Sequence, residues 1–177
     1  MSYRRLFLLV EGDDDERFFR SVVLPLLSSA YHDIQVVRIS TLKKEKVNGL
    51  LRSIAGMKAD YILVHDLDQH PCATAAKDSL LKSFPPASPD RIQIVKGEIE
   101  SWYCAGIPED HPWRSLPIGR CPDTRVVTKE AFAAATLHPG QPRLPAMLDL
   151  LKSFDLQVAI RRNESFQRFL RKFIPGF

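Results

Sequence analysis

Tyr61-Ile62-Leu63-Val64-His65-Asp66-Leu67-Asp68 is the stretch on which the reading of this chain turns. Four apolar residues run into two aspartates at i and i+2, and a short apolar run of this kind reads as a strand buried on both faces. In an extended chain, side chains two apart point the same way, so both carboxylates are expected to leave the strand end together. Two carboxylates about 5–7 Å apart repel by roughly 3 kcal/mol at an effective dielectric of about 20, a cost that a cation or a raised pKa relieves. Leu6-Phe7-Leu8-Leu9-Val10 is a second run of the same kind and ends on Glu11-Gly12. Two strands ending in acids can build one site.

Outward from these strands the pattern alternates. Gly12-Asp13-Asp14-Asp15 reads as a turn into a helix, because short acids cap a helix start and complement its positive end. Phe18, Phe19, Val22, Val23, Leu26 and Leu27 recur at helical spacing, with a kink or an end expected near Pro25. Ile34 to Ile39 is β-branched and strand-like, and Val47, Leu50, Leu51 and Ile54 mark a helix closed by Gly56. After the opening strand, Pro71 starts a helix over about 72–84, and Pro85-Pro86 ends it. Arg91 to Val95 makes a fourth strand, followed by Lys96-Gly97-Glu98-Ile99-Glu100-Ser101-Trp102-Tyr103. Such alternation implies an α/β fold with a mainly parallel four-stranded sheet and helices on both faces. Ligands of these folds sit beyond the carboxyl ends of the strands, where Glu11, Asp66, Asp68 and the acids after strand four fall.

From 106 to 127 the composition shifts to Pro, Gly and polar residues and reads as a loop or cover segment. Thr128 is suited to cap a helix to about 137. A break at His138 to Pro142 then precedes a helix through Leu144, Leu148, Leu151 and Phe154. Asn163 caps a last helix whose Phe166, Phe169, Leu170 and Phe173 fall at i, i+3, i+4 and i+7. The division expected is an α/β domain over 1–105 and a Pro-rich loop with a helical extension, packed on the core, over 106–177.

The chain has 177 residues and a net charge of +4. Setting aside the six acids considered below as site residues leaves 25 basic against 15 acidic side chains, a balance suited to a polyanion such as nucleic acid. Cys72, Cys104 and Cys121 form no CxxC pair, which argues against a disulfide framework or a zinc knuckle and fits reduced thiols in a cytoplasmic protein. The apolar run after Arg4-Arg5 is too short for a signal-peptide core or a membrane span.

An acid-glycine pair ending strand one (Glu11-Gly12, with Asp15 beyond), an acid-x-acid pair ending strand three (Asp66, Asp68) and acids after strand four arrive in an order that resembles the Toprim fold. That fold is shared by topoisomerases, bacterial primases, the recombination protein RecR and OLD-type nucleases. The resemblance covers about residues 4 to 105 and implies a Rossmann-like three-layer domain in which the glutamate and the DxD pair hold Mg²⁺ or Mn²⁺. Within that superfamily, Glu98-Ile99-Glu100-Ser101-Trp102 and Ser165-Phe166-Gln167-Arg168-Phe169 look like a small stand-alone branch related to OLD-type nucleases, with an implied role in phage defence. No tyrosine-bearing breakage domain, zinc ribbon or ATPase domain is seen, so strand passage and priming are not expected, and an ATPase enters only as a protein partner.

The activity implied is a Mg²⁺-dependent nuclease or nicking phosphodiesterase acting on DNA or RNA. Two ions would clamp the attacking water and the leaving oxygen. Glu11, Asp66 and Asp68 are assigned to the first ion, Glu100 with Glu98 and Asp15 to the second, and Lys96 to charge on the scissile phosphate. If 98–103 is helical, Glu98 and Glu100 diverge and cannot both face one site. His65 and His70 read as core or capping groups more than as ligands. Lys43, Lys44 and Lys46, and Arg161, Arg162, Arg168 and Arg171, read as solvated charge with contact to a nucleic-acid backbone as the sharper alternative. Two other functions compete. One is a non-catalytic Toprim module that binds nucleic acid or a protein. The other is a haloacid-dehalogenase-type phosphatase, which Asp66-Leu67-Asp68 resembles but which the late position of the motif, the following Gln69-His70 and the lack of a later aspartate pair oppose.

Overall fold

The computed structural model describes residues 3–136 and 143–177, which fall into two compact units, Met1–Val95 and Lys96–Phe177. The first is α/β. Its four strands, β1 (Arg5–Val10), β2 (Asp33–Arg38), β3 (Asp60–Asp66) and β4 (Ile92–Val95), form an all-parallel sheet in the order β2-β1-β3-β4. Leu6, Leu8, Leu9, Val10, Leu63, Val64, Ile92 and Val95 have no exposed surface, as expected for apolar runs covered on both faces.

The strand order decides where a ligand can sit. From β1 the chain moves to one side to make β2, then crosses back to make β3 and β4. Right-handed crossovers therefore put the β1–β2 helices on one face and the later helices on the other. On that second face, α3 (Lys44–Gly56) and α4 (Ala73–Ser83) bury Val47, Leu51, Ile54, Ala76 and Leu80 in one core with Phe7, Leu9, Leu63, Ile92 and Ile94. The reversal falls between the adjacent strands β1 and β3, and in open α/β sheets ligands bind beyond the carboxyl ends at such a point.

The β1–β2 connection begins as α1 (Asp13–Phe18), passes through a π-helical turn (Phe19–Val23) and ends as α2 (Leu24–Leu27). Pro25 lacks an N–H, and the ladder changes register just ahead of it, so the expected kink takes the form of a π turn.

In the second unit, α5 (Ile99–Ala105) is buried over its whole length. By its contacts this helix groups with the second unit, which begins at Lys96. Trp102 packs on Phe166 and Phe169 (ring centroids 5.0 and 5.3 Å), and its indole N–H donates to Ser165 Oγ at 2.8 Å. The segment 106–127 holds short helical turns, including α6 (Pro117–Arg120). Beyond it come α7 (Lys129–Thr136), α8 (Arg143–Lys152), α9 (Leu156–Arg162) and α10 (Glu164–Phe173). Asn163 caps α10 as expected, its Oδ1 accepting from the Phe166 N–H at 3.0 Å. The break expected at His138 to Pro142 lies outside the described residues. No helix among the described residues is long and apolar enough to cross a membrane.

Candidate metal centre

The register of the sheet assembles the site. Leu9 pairs with Leu63 across β1 and β3, and two residues further the same register sets Glu11 opposite His65. Alternation along the strand turns Asp66 to the other face. The Glu11 carboxylate is fixed by the Asp66 backbone N–H, which donates to Oε2 at 2.8 Å. His65 Nδ1 lies 3.3 Å from that oxygen and 3.8 Å from Asp68 Oδ2. It is also 3.0 Å from the Asp66 carbonyl oxygen. A carbonyl only accepts, so this contact is a hydrogen bond in the tautomer with the proton on Nδ1, while the tautomer with the proton on Nε2 leaves Nδ1 bare toward the two carboxylates.

Asp68 reaches the cluster because the chain stops being extended. β3 ends at Asp66. The Leu67 N–H still bonds the Val95 carbonyl at 2.9 Å, and the His70 N–H closes a turn on the Leu67 carbonyl at 3.1 Å. Within that turn Asp68 has φ of 48°, a left-handed conformation that aspartate adopts more readily than most side chains. The expectation that Asp66 and Asp68 leave an extended strand end side by side is corrected here. Asp68 joins Glu11 through the turn, with His65 in the company where Asp66 was expected.

Ligand atoms of Glu11, His65 and Asp68 all lie within 4.8 Å of one another. Two ligands held about 2.1 Å from one ion are at most about 4.2 Å apart. The 3.3 and 3.8 Å separations fall within that limit, so the trio fits one cation with a small closure of the remaining pair. The donor set is two hard carboxylate oxygens and one imidazole nitrogen, which suits Mn²⁺ or Zn²⁺ better than Mg²⁺ alone. Asp68 is 53% exposed, which leaves water a route to complete the coordination shell.

The neighbouring acids divide sharply. Asp13 and Glu16 both pair with Arg38, Asp14 pairs with Arg17, and Arg20 also bonds Glu16. These are solvated or capping charges, as the run suggests. Asp15 instead turns inward, is 5% exposed, and accepts from the Gly12 N–H at 3.0 Å. Burial pushes its carboxyl up to about 6, against the Gly12 hydrogen bond and with a further push from the Glu11 charge.

Of the residues assigned to a second ion, Asp15 lies in the first unit, while Glu98 and Glu100 lie in the other, each with a local partner. Glu98 precedes α5 and accepts from the Lys129 backbone N–H. Glu100 is buried and ion-paired with Arg143. Lys96 is half-buried, its carbonyl accepts from Ser101 Oγ at 3.5 Å, and its charge helps Arg125 hold Asp123 below the usual carboxylate range.

Arg162 corrects a second expectation. It is 6% exposed and donates to the carbonyls of Cys104, Ala105, Ile118, Gly119 and Cys121 at 2.7–3.3 Å. It serves no outer surface. Burial lowers its pKa, and backbone carbonyls rather than a carboxylate hold the charge. Arg161, Arg168 and Arg171 are exposed, with Arg168 paired to Glu164.

Sequence reasoning undervalued His65. The available signal was the alternation of β3, which puts His65 on the face of Leu63, together with the parallel pairing of strands one and three. In comparisons with family models, curated proteins and solved structures, no match to this chain is found.

Proposed function

We propose that this protein is a divalent-cation-dependent phosphodiesterase of Toprim-like character that acts on nucleic acid, with Glu11 and Asp68 as the anionic ligands and His65 beside them. One observation carries this reading: Glu11, His65 and Asp68 converge within 4.8 Å at the carboxyl edge of a parallel sheet, where the strand order reverses. A cation bound there would supply Lewis acidity toward a phosphoryl oxygen and lower the pKa of a bound water. The residues act around it. Glu11 is held in place by the Asp66 N–H, the Asp68 turn brings its carboxylate to meet Glu11, and His65 either ligates through a bare nitrogen or keeps its proton and orients both carboxylates.

A single ion accounts for this cluster. A second ion bound through Glu100 would have to displace Arg143. That pairing favours one competing reading, a module that binds its cation and its nucleic acid without cutting. Cleavage of labelled DNA and RNA in Mg²⁺ or Mn²⁺, with wild type and Asp68→Ala compared at equal folded concentration, separates the two. Metal-dependent cutting that the variant loses by about a hundredfold or more supports the enzyme. Retained cutting in the variant refutes this site, and Mn²⁺ binding without cutting by wild type selects the binding module.

A further inference from the structure

We infer that Lys43, Lys44 and Lys46 form a docking surface for the sugar-phosphate backbone of a nucleic acid, delivering it along the carboxyl edge of the sheet toward Glu11, His65 and Asp68. The inference rests on the nucleic-acid reading above and names the surface that would serve it.

Placement is the first argument. α3 follows β2 and packs on the face that carries Leu9 and Leu63, the face to which the register also assigns Glu11 and His65. Its first turn therefore stands at the carboxyl edge. The approach to it is tied to the end of β1, the Ile39 N–H donating to the Val10 carbonyl at 2.8 Å and the Ser40 N–H to the Glu11 carbonyl at 3.3 Å. Lys43 is three residues beyond Ser40, so their Cα atoms are at most about 11 Å apart. Lysines and acids thus share one edge of one compact unit.

Charge is the second argument. The start of a helix carries a partial positive charge that attracts carboxylates and repels cations. Here Lys43 occupies the N-cap without a side-chain capping bond, Lys44 and Lys46 follow, and Glu45 is the one acid of the turn. All four side chains are exposed, and no ion pair of the three lysines is found among the described residues. Arg38, at the end of β2, is by contrast neutralised by Asp13 and Glu16. A helix start loaded with unneutralised cations works against its own stability. Such a local conflict is expected where a surface is kept for an anion. The cation cluster and the acid cluster complement different parts of one ligand, a chain of phosphates and a reacting phosphodiester.

The test is fluorescence anisotropy of labelled single-stranded and duplex oligonucleotides in EDTA across a KCl series, using the full chain and its Lys43→Gln/Lys44→Gln/Lys46→Gln variant. The expected result is affinity reduced about tenfold or more, and a log-affinity against log-salt slope shallower by about 2 for single strands or about 3 for duplex. The melting temperature of the variant should be unchanged or raised by about 2 °C, since cations are removed from a helix start. Wild type that binds oligonucleotides in EDTA but never cuts them in Mg²⁺ or Mn²⁺ sinks the enzyme reading and leaves this inference standing. Unchanged affinity and slope in the lysine variant would overturn the inference. So would wild-type binding to phosphatidylserine vesicles with none to oligonucleotides, or loss of binding only in an Arg168→Gln/Arg171→Gln/Lys172→Gln control.

Discussion

The two units carry similar densities of charge and use it in opposite ways. In the second, Arg162 satisfies five backbone carbonyls, Arg125 bridges Asp123 and Glu164, Arg143 neutralises Glu100, and Arg114 pairs with Glu109. These charges are spent on holding the unit together. At the carboxyl edge of the first unit, Glu11 and Asp68 converge on one imidazole nitrogen, while the nearby lysines keep their charges exposed. The contrast teaches that abundance of ionisable groups does not mark a site. A site is marked where like charges are brought together and the fold supplies less than full compensation.

The largest effect that would sharpen this contrast is on Arg162. Removing it in Arg162→Met leaves its carbonyls without their donor, and urea unfolding should show a loss of about 3–5 kcal/mol. An exposed arginine such as Arg171 should cost under about 0.5 kcal/mol on the same measurement. Equal effects at the two positions would break the claim that the second unit spends its charges structurally.

Asp15 supplies the next effect, with a sign that can be worked out. Its carboxyl is raised from 3.8 unfolded to about 6 in the folded chain. Between those values the folded state binds more protons than the unfolded one, so stability falls as pH rises from about 4 to 6 and is flat above. Asp15→Asn keeps an acceptor for the Gly12 N–H and removes the buried charge. It should stabilise the protein by about 2–3 kcal/mol at pH 7 and abolish the decline. A decline that persists in the variant would place its origin elsewhere.

The smallest effect on stability is expected at the turn. Asp68→Gly suits φ of 48° better than aspartate and should leave stability unchanged or raise it by about 0.5–1 kcal/mol, while cation binding is lost. A large destabilisation there would make Asp68 a structural residue.

Most of the first unit was legible in the sequence because apolar runs and helical spacing are local signals. Strands near 6–10, 34–39, 61–66 and 91–95 follow from that pattern, as do the parallel sheet and the helices around Val47–Ile54 and 73–83. What escaped depends on distant pairing. Whether residue 65 or 66 faces Glu11 is set by the register of two strands more than fifty residues apart, which fixes the faces but leaves no local trace. Extending the strand rule through Asp68 failed because the chain enters a left-handed turn at that residue. In the second unit α9 was missed: its Val158-Ala159-Ile160 core is too short to show a period, and the helix starts on an Asp155 cap whose Oδ1 accepts from the Val158 N–H at 2.9 Å. The buried role of Arg162 had no sequence signal, since an arginine at a helix end is ordinarily solvated.

The most direct test of the account is a titration of Mn²⁺ into the metal-free protein, followed by electron paramagnetic resonance, for wild type, Glu11→Gln and Asp68→Asn. One Mn²⁺ per chain is expected in wild type, with about tenfold or greater weakening in each variant and unchanged far-ultraviolet circular dichroism. Wild type that binds no Mn²⁺, or variants that bind it as tightly as wild type, would contradict the assignment of this edge as a metal centre.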